Sequence, residues 1–387
     1  MEKEIKRDYY LDQLIVRIDN GLIKVVTGIR RCGKSYLLRQ IFKKYLLKQG
    51  VPSDHIIEMA FDLYDNIRFR DPEVFYPWII EQLKGDGKYY CLLDEVQLLD
   101  EFVSVLNGLA DKGNCDIFVT ASNAKFLSRD IATEFGGRGD EIHMYPLSFS
   151  EFMSIYDGHY YDGWNEYITY GGIPIVALAK TDEQKTALFD SLFQETYIRD
   201  IIVRNKVRNG RELDALLDIL SSAIGSLTNP NKLQKIFKSV DRSKITVTTI
   251  TKYIGYLEDS FLIEEAKRFD IKGKAYIGTP MKYYFTDMGL RNARLNFRQM
   301  ENVIYNELSK RGFKVDVGNL QVIERDKNGK NIKKQLEVDF INYRQEDSHL
   351  YRWGRMSHAQ KDRLNTTFNL HIFLKPKRRL HRKSGGS

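Results

Sequence analysis

Gly28-Ile29-Arg30-Arg31-Cys32-Gly33-Lys34-Ser35 is the stretch on which the reading of this chain turns. It fits Gly-x4-Gly-Lys-Ser, and its surroundings fit as well. Leu22-Ile23-Lys24-Val25-Val26-Thr27 before it is apolar and β-branched, the composition of a buried strand. Tyr36 to Lys48 after it sets Leu37, Leu38, Ile41, Phe42, Tyr45 and Leu46 on one helical face. Strand, glycine loop and helix in that order make a phosphate-binding loop. Gly28 and Gly33 permit the tight turn that aims successive main-chain N–H groups at phosphate oxygens, and the positive end of the new helix adds to the attraction. Lys34 then reaches the β- and γ-phosphates, and the Ser35 hydroxyl coordinates Mg²⁺. The bland alternative, a glycine-rich turn opening an ordinary helix, leaves the flanking strand and amphipathic helix as coincidence. The implied ligand is a nucleoside triphosphate.

A second segment agrees. Lys88-Tyr89-Tyr90-Cys91-Leu92-Leu93-Asp94-Glu95 is a hydrophobic strand ending in two carboxylates. In this Walker B arrangement Asp94 holds the Mg²⁺ shell and Glu95 orients and polarises the attacking water. Acidic residues also end strands merely to be solvated, but this pair follows a phosphate loop at the expected distance. Asp116-Ile117-Phe118-Val119-Thr120-Ala121-Ser122-Asn123 is another apolar strand, closing on small polar residues. Asn123, or Ser122, would position water there; the alternative is a capped turn, since Ser and Asn favour helix N-caps.

Composition bounds the rest. A chain of 387 residues is too long for one ordinary core and predicts two or three domains. Cys32, Cys91 and Cys115 have neither metal spacing nor an even-numbered framework, and with the phosphate loop they point to a reducing, cytoplasmic setting. The charged start, Met1-Glu2-Lys3-Glu4-Ile5-Lys6-Arg7, leads into no apolar signal core, and no apolar run approaches the ~18 residues of a membrane span. The expectation is a soluble protein with no membrane partner. The net charge of +8 arises entirely after Phe340, where 11 basic residues meet 3 acidic ones; the first 340 residues balance at 49 of each. The body therefore offers no overall basic field for nucleic acid, and any such contact must come from local patches.

Strand-like stretches at 22–27, 56–62, 89–94, 116–120 and 141–145 alternate with helical ones, which predicts an α/β fold with a parallel sheet and the phosphate loop at a strand's carboxyl end. Residues 149–227 read as a helical connector, broken at Tyr170-Gly171-Gly172-Ile173-Pro174. Within 228–295, Leu233, Ile236, Phe237 and Val240, then Ile250, Tyr253, Ile254 and Leu257, mark two short amphipathic helices. Strand-like Phe261-Leu262-Ile263, a turn at Ile271-Lys272-Gly273-Lys274 and strand-like Lys282-Tyr283-Tyr284-Phe285 complete a winged-helix pattern. The second helix exposes Thr249, Lys252, Tyr256 and Asp259, a poor phosphate-binding face, so a protein-contact or structural role competes with DNA contact there. Residues 296–340 form a third unit: a helix at 301–310, then strands at 321–325 and 332–340 about an Asn328-Gly329 hairpin turn.

Together the phosphate loop, Leu92-Leu93-Asp94-Glu95-Val96-Gln97, Thr120-Ala121-Ser122-Asn123, Tyr145-Pro146-Leu147-Ser148-Phe149 with Glu151-Phe152, and the Tyr-Gly-Gly-Ile-Pro break resemble the prokaryotic AAA+-superfamily ATPases that carry a C-terminal domain of unknown function. The resemblance runs from residue 1 to about 340. It implies an ATPase domain over 1–148 that binds ATP and Mg²⁺, with Gly28 through Ser35 on the nucleotide and Ser35 and Asp94 on the metal. It further implies a winged helix and a degenerate endonuclease-like domain of the PD-(D/E)xK type. Relatives commonly have Thr-Gly-Ser-Asn where this chain has Ala121, a mild change that leaves Asn123 in place. Arg138 matches an arginine placed to act as a finger across a subunit boundary in a homo-oligomer; the alternative is a local ion pair. Glu307, Glu337 and Asp339 resemble the acidic part of the nuclease motif, but no Glu/Gln-x-Lys on an apolar strand follows, which speaks against nuclease chemistry.

The leading expectation is an ATPase coupling hydrolysis to conformational change in its C-terminal modules. An ATP-switched DNA-binding protein with little turnover is the alternative, and an ATP-gated nuclease the remote one. Residues 341–387 read as a basic tail outside the fold, altered by a frameshift or truncation after Phe340, since charge balance, histidine density and periodicity all change there. The competing reading is a genuine nucleic-acid-binding arm.

Overall fold

The computed structural model describes residues 5–85, 87–122, 135, 137–240, 244–270, 275–294, 300–325, 331–344 and 347–351. The chain divides into two compact units. One takes the described residues within 1–223, 230–264 and 284–299; the other takes those within 224–229, 265–283 and 300–387.

The first unit is built on five parallel strands: β1 Ile23–Thr27, β2 Ile56–Ala60, β3 Tyr89–Asp94, β4 Cys115–Ala121 and β5 Gly139–His143. Their spatial order is β2-β3-β4-β1-β5. This is the α/β fold expected, with each strand within two residues or so of its predicted span. β1 is buried at every position and β3 and β4 nearly so, which is why they read as unbroken apolar runs rather than alternating ones. α1 (Asp8–Ile15) precedes β1; parallel strands need crossovers, and α2, after the phosphate loop, supplies the one from β1 to β2. α2 opens at Lys34–Tyr36, runs as a π-helix over Leu37–Phe42 and closes as Lys43–Lys48. α3 (Pro72–Gln82) and α4 (Phe102–Ala110) cover one face of the sheet, packing Phe75, Ile79, Leu106 and Leu109 against Val25, Leu93 and Val119. On the other face the Phe42 ring of α2 lies 4.6 Å from that of Phe118. Lys24 shares that face, fully buried, and its ammonium pairs with the Asp116 carboxylate on β4.

The connector of 149–227 is helical as expected. α5 (Phe149–Ile155) starts at a capping box of Ser148 and Glu151. α6 (Tyr160–Tyr170) ends at Gly171, whose φ of 71° suits glycine and whose added Cβ would lie 1.9 Å from the Asp287 carboxylate. That carboxylate accepts from the Gly172 N–H at 2.6 Å and from Gly289 N–H at 2.9 Å, and a Cβ on Gly172 would stand 2.2 Å from the Leu147 carbonyl oxygen, so close approach requires both glycines. α7 runs Asp182–Ser191, then π-helical over Leu192–Ile198, then Arg199–Arg204; α8 spans Gly210–Ser222. α9 (Pro230–Val240), α10 (Val247–Asp259) and the short α11 (Met288–Asn292) complete the unit.

The second unit is a five-stranded mixed sheet ordered β10-β9-β8-β6-β7, with α12 (Met300–Lys310) beside it in sequence. Its strands are β6 Ile263–Asp270, β7 Ala275–Phe285, β8 Lys314–Arg325, β9 Asn331–Arg344 and β10 Asp347–Tyr351. β8 and β9 pair antiparallel about the Asn328-Gly329 stretch, which itself lies outside the described residues. β6 pairs parallel with β8, Arg268 opposite Val317. The two helices of the winged-helix pattern are present, but the strands that follow them join this larger sheet; the expected turn at 271–274 lies outside the described residues.

The boundary expected after Phe340 needs correction. β9 runs on to Arg344, and β10 pairs antiparallel with it, Asp347 opposite Arg344 and Tyr351 opposite Phe340. Residues 341–344 and 347–351 thus belong to the sheet. The main-chain hydrogen bonding of a hairpin needs no amphipathic pattern, so periodicity gave no sign of it. Residues 352–387, with most of the expected tail, lie outside the described residues, as do the side chains of Glu337 and Asp339.

Candidate functional site

The loop leaves β1 at Thr27 and turns through Gly28 at φ 138°, Arg31 at 66° and Gly33 at 105°. A Cβ on Gly28 would stand 2.0 Å from the Met144 carbonyl oxygen, so that position admits only glycine. Lys34 opens α2 nearly buried, and its ammonium donates to the Gly28 carbonyl at 2.9 Å and the Ile29 carbonyl at 3.1 Å. Cys32 is buried beneath the loop, its thiol toward the Met144 carbonyl at 3.4 Å, which suits a packing role.

Ser35 donates its hydroxyl proton to Asp94 Oδ1 at 2.9 Å, which joins the loop to the end of β3. Thr120 on β4 donates to the same oxygen at 2.5 Å and accepts from the Glu95 N–H at 2.9 Å. Glu95 takes the left-handed conformation, φ 53°, unusual for a glutamate and common where a site fixes its backbone. Its carboxylate accepts from Ser122 Oγ at 2.6 Å and from the Gln97 amide. Burial pushes the Asp94 carboxyl above the usual carboxylate range, opposed by the hydrogen bonds from Thr120 and Ser35, while the charges of Glu95 and Asp62 push the same way as burial.

The loop and Glu95 open on one cavity of about 740 Å³, within the range of small-molecule sites. Residues 30–35, Asp62 and Glu95 form its polar wall; Ile5, Leu147, Pro174, Ile175 and Leu178 form an apolar one. Arg7 lies in the same lining, its guanidinium over the Tyr10 ring and 3.3 Å from Glu151. Hard carboxylate and hydroxyl oxygens at the phosphate end suit Mg²⁺, so the residues present fit that ion. A shallower groove of about 460 Å³, between Ile175, Leu178 and Leu188, carries almost no polar chemistry.

Every expected loop residue from Gly28 to Ser35 lies together with Asp94 and Glu95. Ser122 meets Glu95, whereas Asn123 lies outside the described residues. Arg138 is not brought to the loop of its own chain. Its carbonyl accepts from the Ile23 N–H at the amino end of β1, and its guanidinium pairs with Asp111 at 2.5 Å on the surface. Gln97 and Thr120 stand inside sequence motifs that assign them no contact, and His143 stands in none. His143, at the end of β5, has Nδ1 3.1 Å from Thr27 Oγ1, and the Thr27 hydroxyl donates its proton to Glu141 at 2.7 Å. Burial, then the Lys34 charge, lowers the His143 pKa to about 4.

Comparison with known proteins adds three findings. The profile of a family described as "AAA domain" matches residues 20–153, and one described as "Domain of unknown function (DUF8612)" matches 161–301. An uncharacterised Haemophilus influenzae protein is 36% identical over 338 residues, which is 83% of each chain; an uncharacterised Methanocaldococcus jannaschii protein is 28% identical over 88% of this chain and 75% of its own length. Among solved structures, the Aeropyrum pernix ORC1 protein in complex with DNA is 11% identical, with a TM-score of 0.32 over 76% of this chain and 94% of its own. Among the described residues no helix is long and apolar enough to cross a membrane.

Proposed function

We propose that this chain, which belongs to one family with the Haemophilus influenzae protein and matches the AAA-domain family over residues 20–153, binds ATP with Mg²⁺ in the 740 Å³ cavity and hydrolyses it. The observation that carries the reading is the hydrogen-bonded chain Ser35–Asp94–Thr120–Glu95, which ties the phosphate loop to the two strand ends beside it. Main-chain N–H groups of residues 28–35 would cradle the phosphates, and Lys34 would exchange the Gly28 and Ile29 carbonyls for phosphate oxygens. Ser35 and Asp94 would hold Mg²⁺, which when bound offsets phosphate charge. Glu95 would polarise the attacking water, with Ser122 and Gln97 fixing its carboxylate, and Asn123 would orient that water. Arg138 would stabilise the developing charge from a neighbouring subunit of a homo-oligomer.

Hydrolysis would drive a conformational change in the segment after residue 227. Phosphate release by the full chain tests the reading, measured with and without duplex DNA at two salt concentrations. Lys34→Ala should weaken ATP binding at least a hundredfold, and Glu95→Gln should keep ATP bound while turnover falls a hundredfold or more. Unchanged phosphate release by Glu95→Gln would remove that residue from the chemistry. Stimulation by DNA would add a nucleic-acid partner to this reading.

A further inference from the structure

Tyr197 touches the phosphate loop from a part of the chain that the nucleotide reading does not use. Its hydroxyl, buried with the rest of the side chain, donates to the Arg30 carbonyl at 2.9 Å. Arg30 is in the middle of the loop, where binding requires N–H groups to face phosphate and leaves carbonyls to face away. A donor behind that carbonyl therefore holds one particular setting of the loop. Pro174 backs the same loop, 3.8 Å from where a Gly33 Cβ would stand.

Two further observations make Tyr197 more than a packed aromatic. It lies in the π-helical part of α7, where the extra residue per turn re-aims side chains; such segments recur at functional positions. On the same helix, three residues on, Asp200 lies 3.6 Å from the Arg30 guanidinium and 3.0 Å from Arg204. The helix thus grips Arg30 twice, through its main chain and through its side chain. The exposed ion pair contributes little by itself, whereas the buried hydroxyl cannot find water if the carbonyl moves away, so loop and helix must shift together. Burial, with the Asp287 charge adding to it, pushes the Tyr197 pKa well above its ordinary value, so the hydroxyl keeps its proton and stays a donor.

We infer that Tyr197 is the positioning residue through which the state of the phosphate loop reaches α7. The inference rests on the nucleotide reading of the cavity. It assigns α7, rather than a surface loop, as the element that first responds when the nucleotide changes.

The test is amide hydrogen exchange of the full chain over residues 199–204, with and without a non-hydrolysable ATP analogue and Mg²⁺, alongside the analogue's affinity. In the wild type, nucleotide should slow exchange in this segment about fivefold or more. Tyr197→Phe, which removes one oxygen, should bind the analogue within about threefold of wild type while losing most of that response. Asp200→Asn should lose only part of it. A tyrosine that served structure alone would instead lower protection equally with and without nucleotide, and that result overturns the inference. So does a full response in Tyr197→Phe, or a wild type that binds the analogue with no change at 199–204. A wild type that binds no analogue overturns the nucleotide reading itself.

Discussion

His143 stands beside Thr27 at the root of the phosphate loop and is kept neutral by burial and by the Lys34 charge, with a pKa of about 4. An unfolded histidine titrates near 6.5. Because the folded value is the lower one, its contribution to stability is fully present above about pH 6.5 and is lost as pH falls toward 4. The loss should be about 3 kcal/mol by pH 4, and His143→Asn should flatten the dependence of the denaturation midpoint on pH across that window. Glu141 is pushed up by burial and gives the opposite slope, which this variant leaves in place. An equally steep profile in His143→Asn would show that other groups dominate. That Gly28, Lys34, Ser35, Asp94 and Glu95 belong to one neighbourhood is legible in the sequence because motif spacing encodes it. The contacts of Thr120, Gln97 and His143 are not legible there. Thr120 reaches Asp94 only because β3 and β4 pair with Leu93 opposite Val119, and register is a property of the folded sheet.

Elements show the same division. β1 is legible as an apolar run, yet its second residue is a lysine, and only its partner makes the burial tolerable. Lys24 donates to the Leu22 carbonyl at 2.9 Å and pairs with Asp116, which also accepts from the Asp19 N–H at 2.9 Å. Removing one partner leaves the other charge stranded in the sheet. Asp116→Ala should therefore cost about 3–5 kcal/mol in chemical denaturation, and Lys24→Met with Asp116→Leu together markedly less. A single-variant loss below about 1 kcal/mol would mean that water reaches the pair. The apolar face of α2 follows from the spacing of Leu37, Leu38, Phe42 and Leu46, all buried, but the π-helical turn there leaves no trace in that spacing. Nor does the parallel pairing of β6 with β8, which joins strands some fifty residues apart.

At the scale of the molecule, Arg138 lies at the amino edge of the first sheet and the phosphate loop at its carboxyl edge, separated by a strand's length of roughly 16 Å. A finger role therefore requires a second copy. Arg138→Ala should lower turnover and leave nucleotide affinity unchanged, and mixing it with Lys34→Ala should restore part of the activity. An oligomer that gains nothing on mixing would leave Arg138 as the partner of Asp111. The second sheet makes a different demand. A chain cut after Gln299 keeps β6 and β7 but loses β8, the parallel neighbour of β6. Its unpaired edge should make the fragment aggregate at concentrations where the full chain stays dispersed, as light scattering would reveal.

The chain passes five times between its two units, at 223/224, 229/230, 264/265, 283/284 and 299/300. Neither unit is a contiguous stretch of gene. A recombination event that exchanged one of them would have to replace separate segments at once, and a single crossover would leave strands of one parent to pair with those of the other. The two halves must therefore descend as one heritable part, changing by substitution in place rather than by the shuffling open to beads on a string.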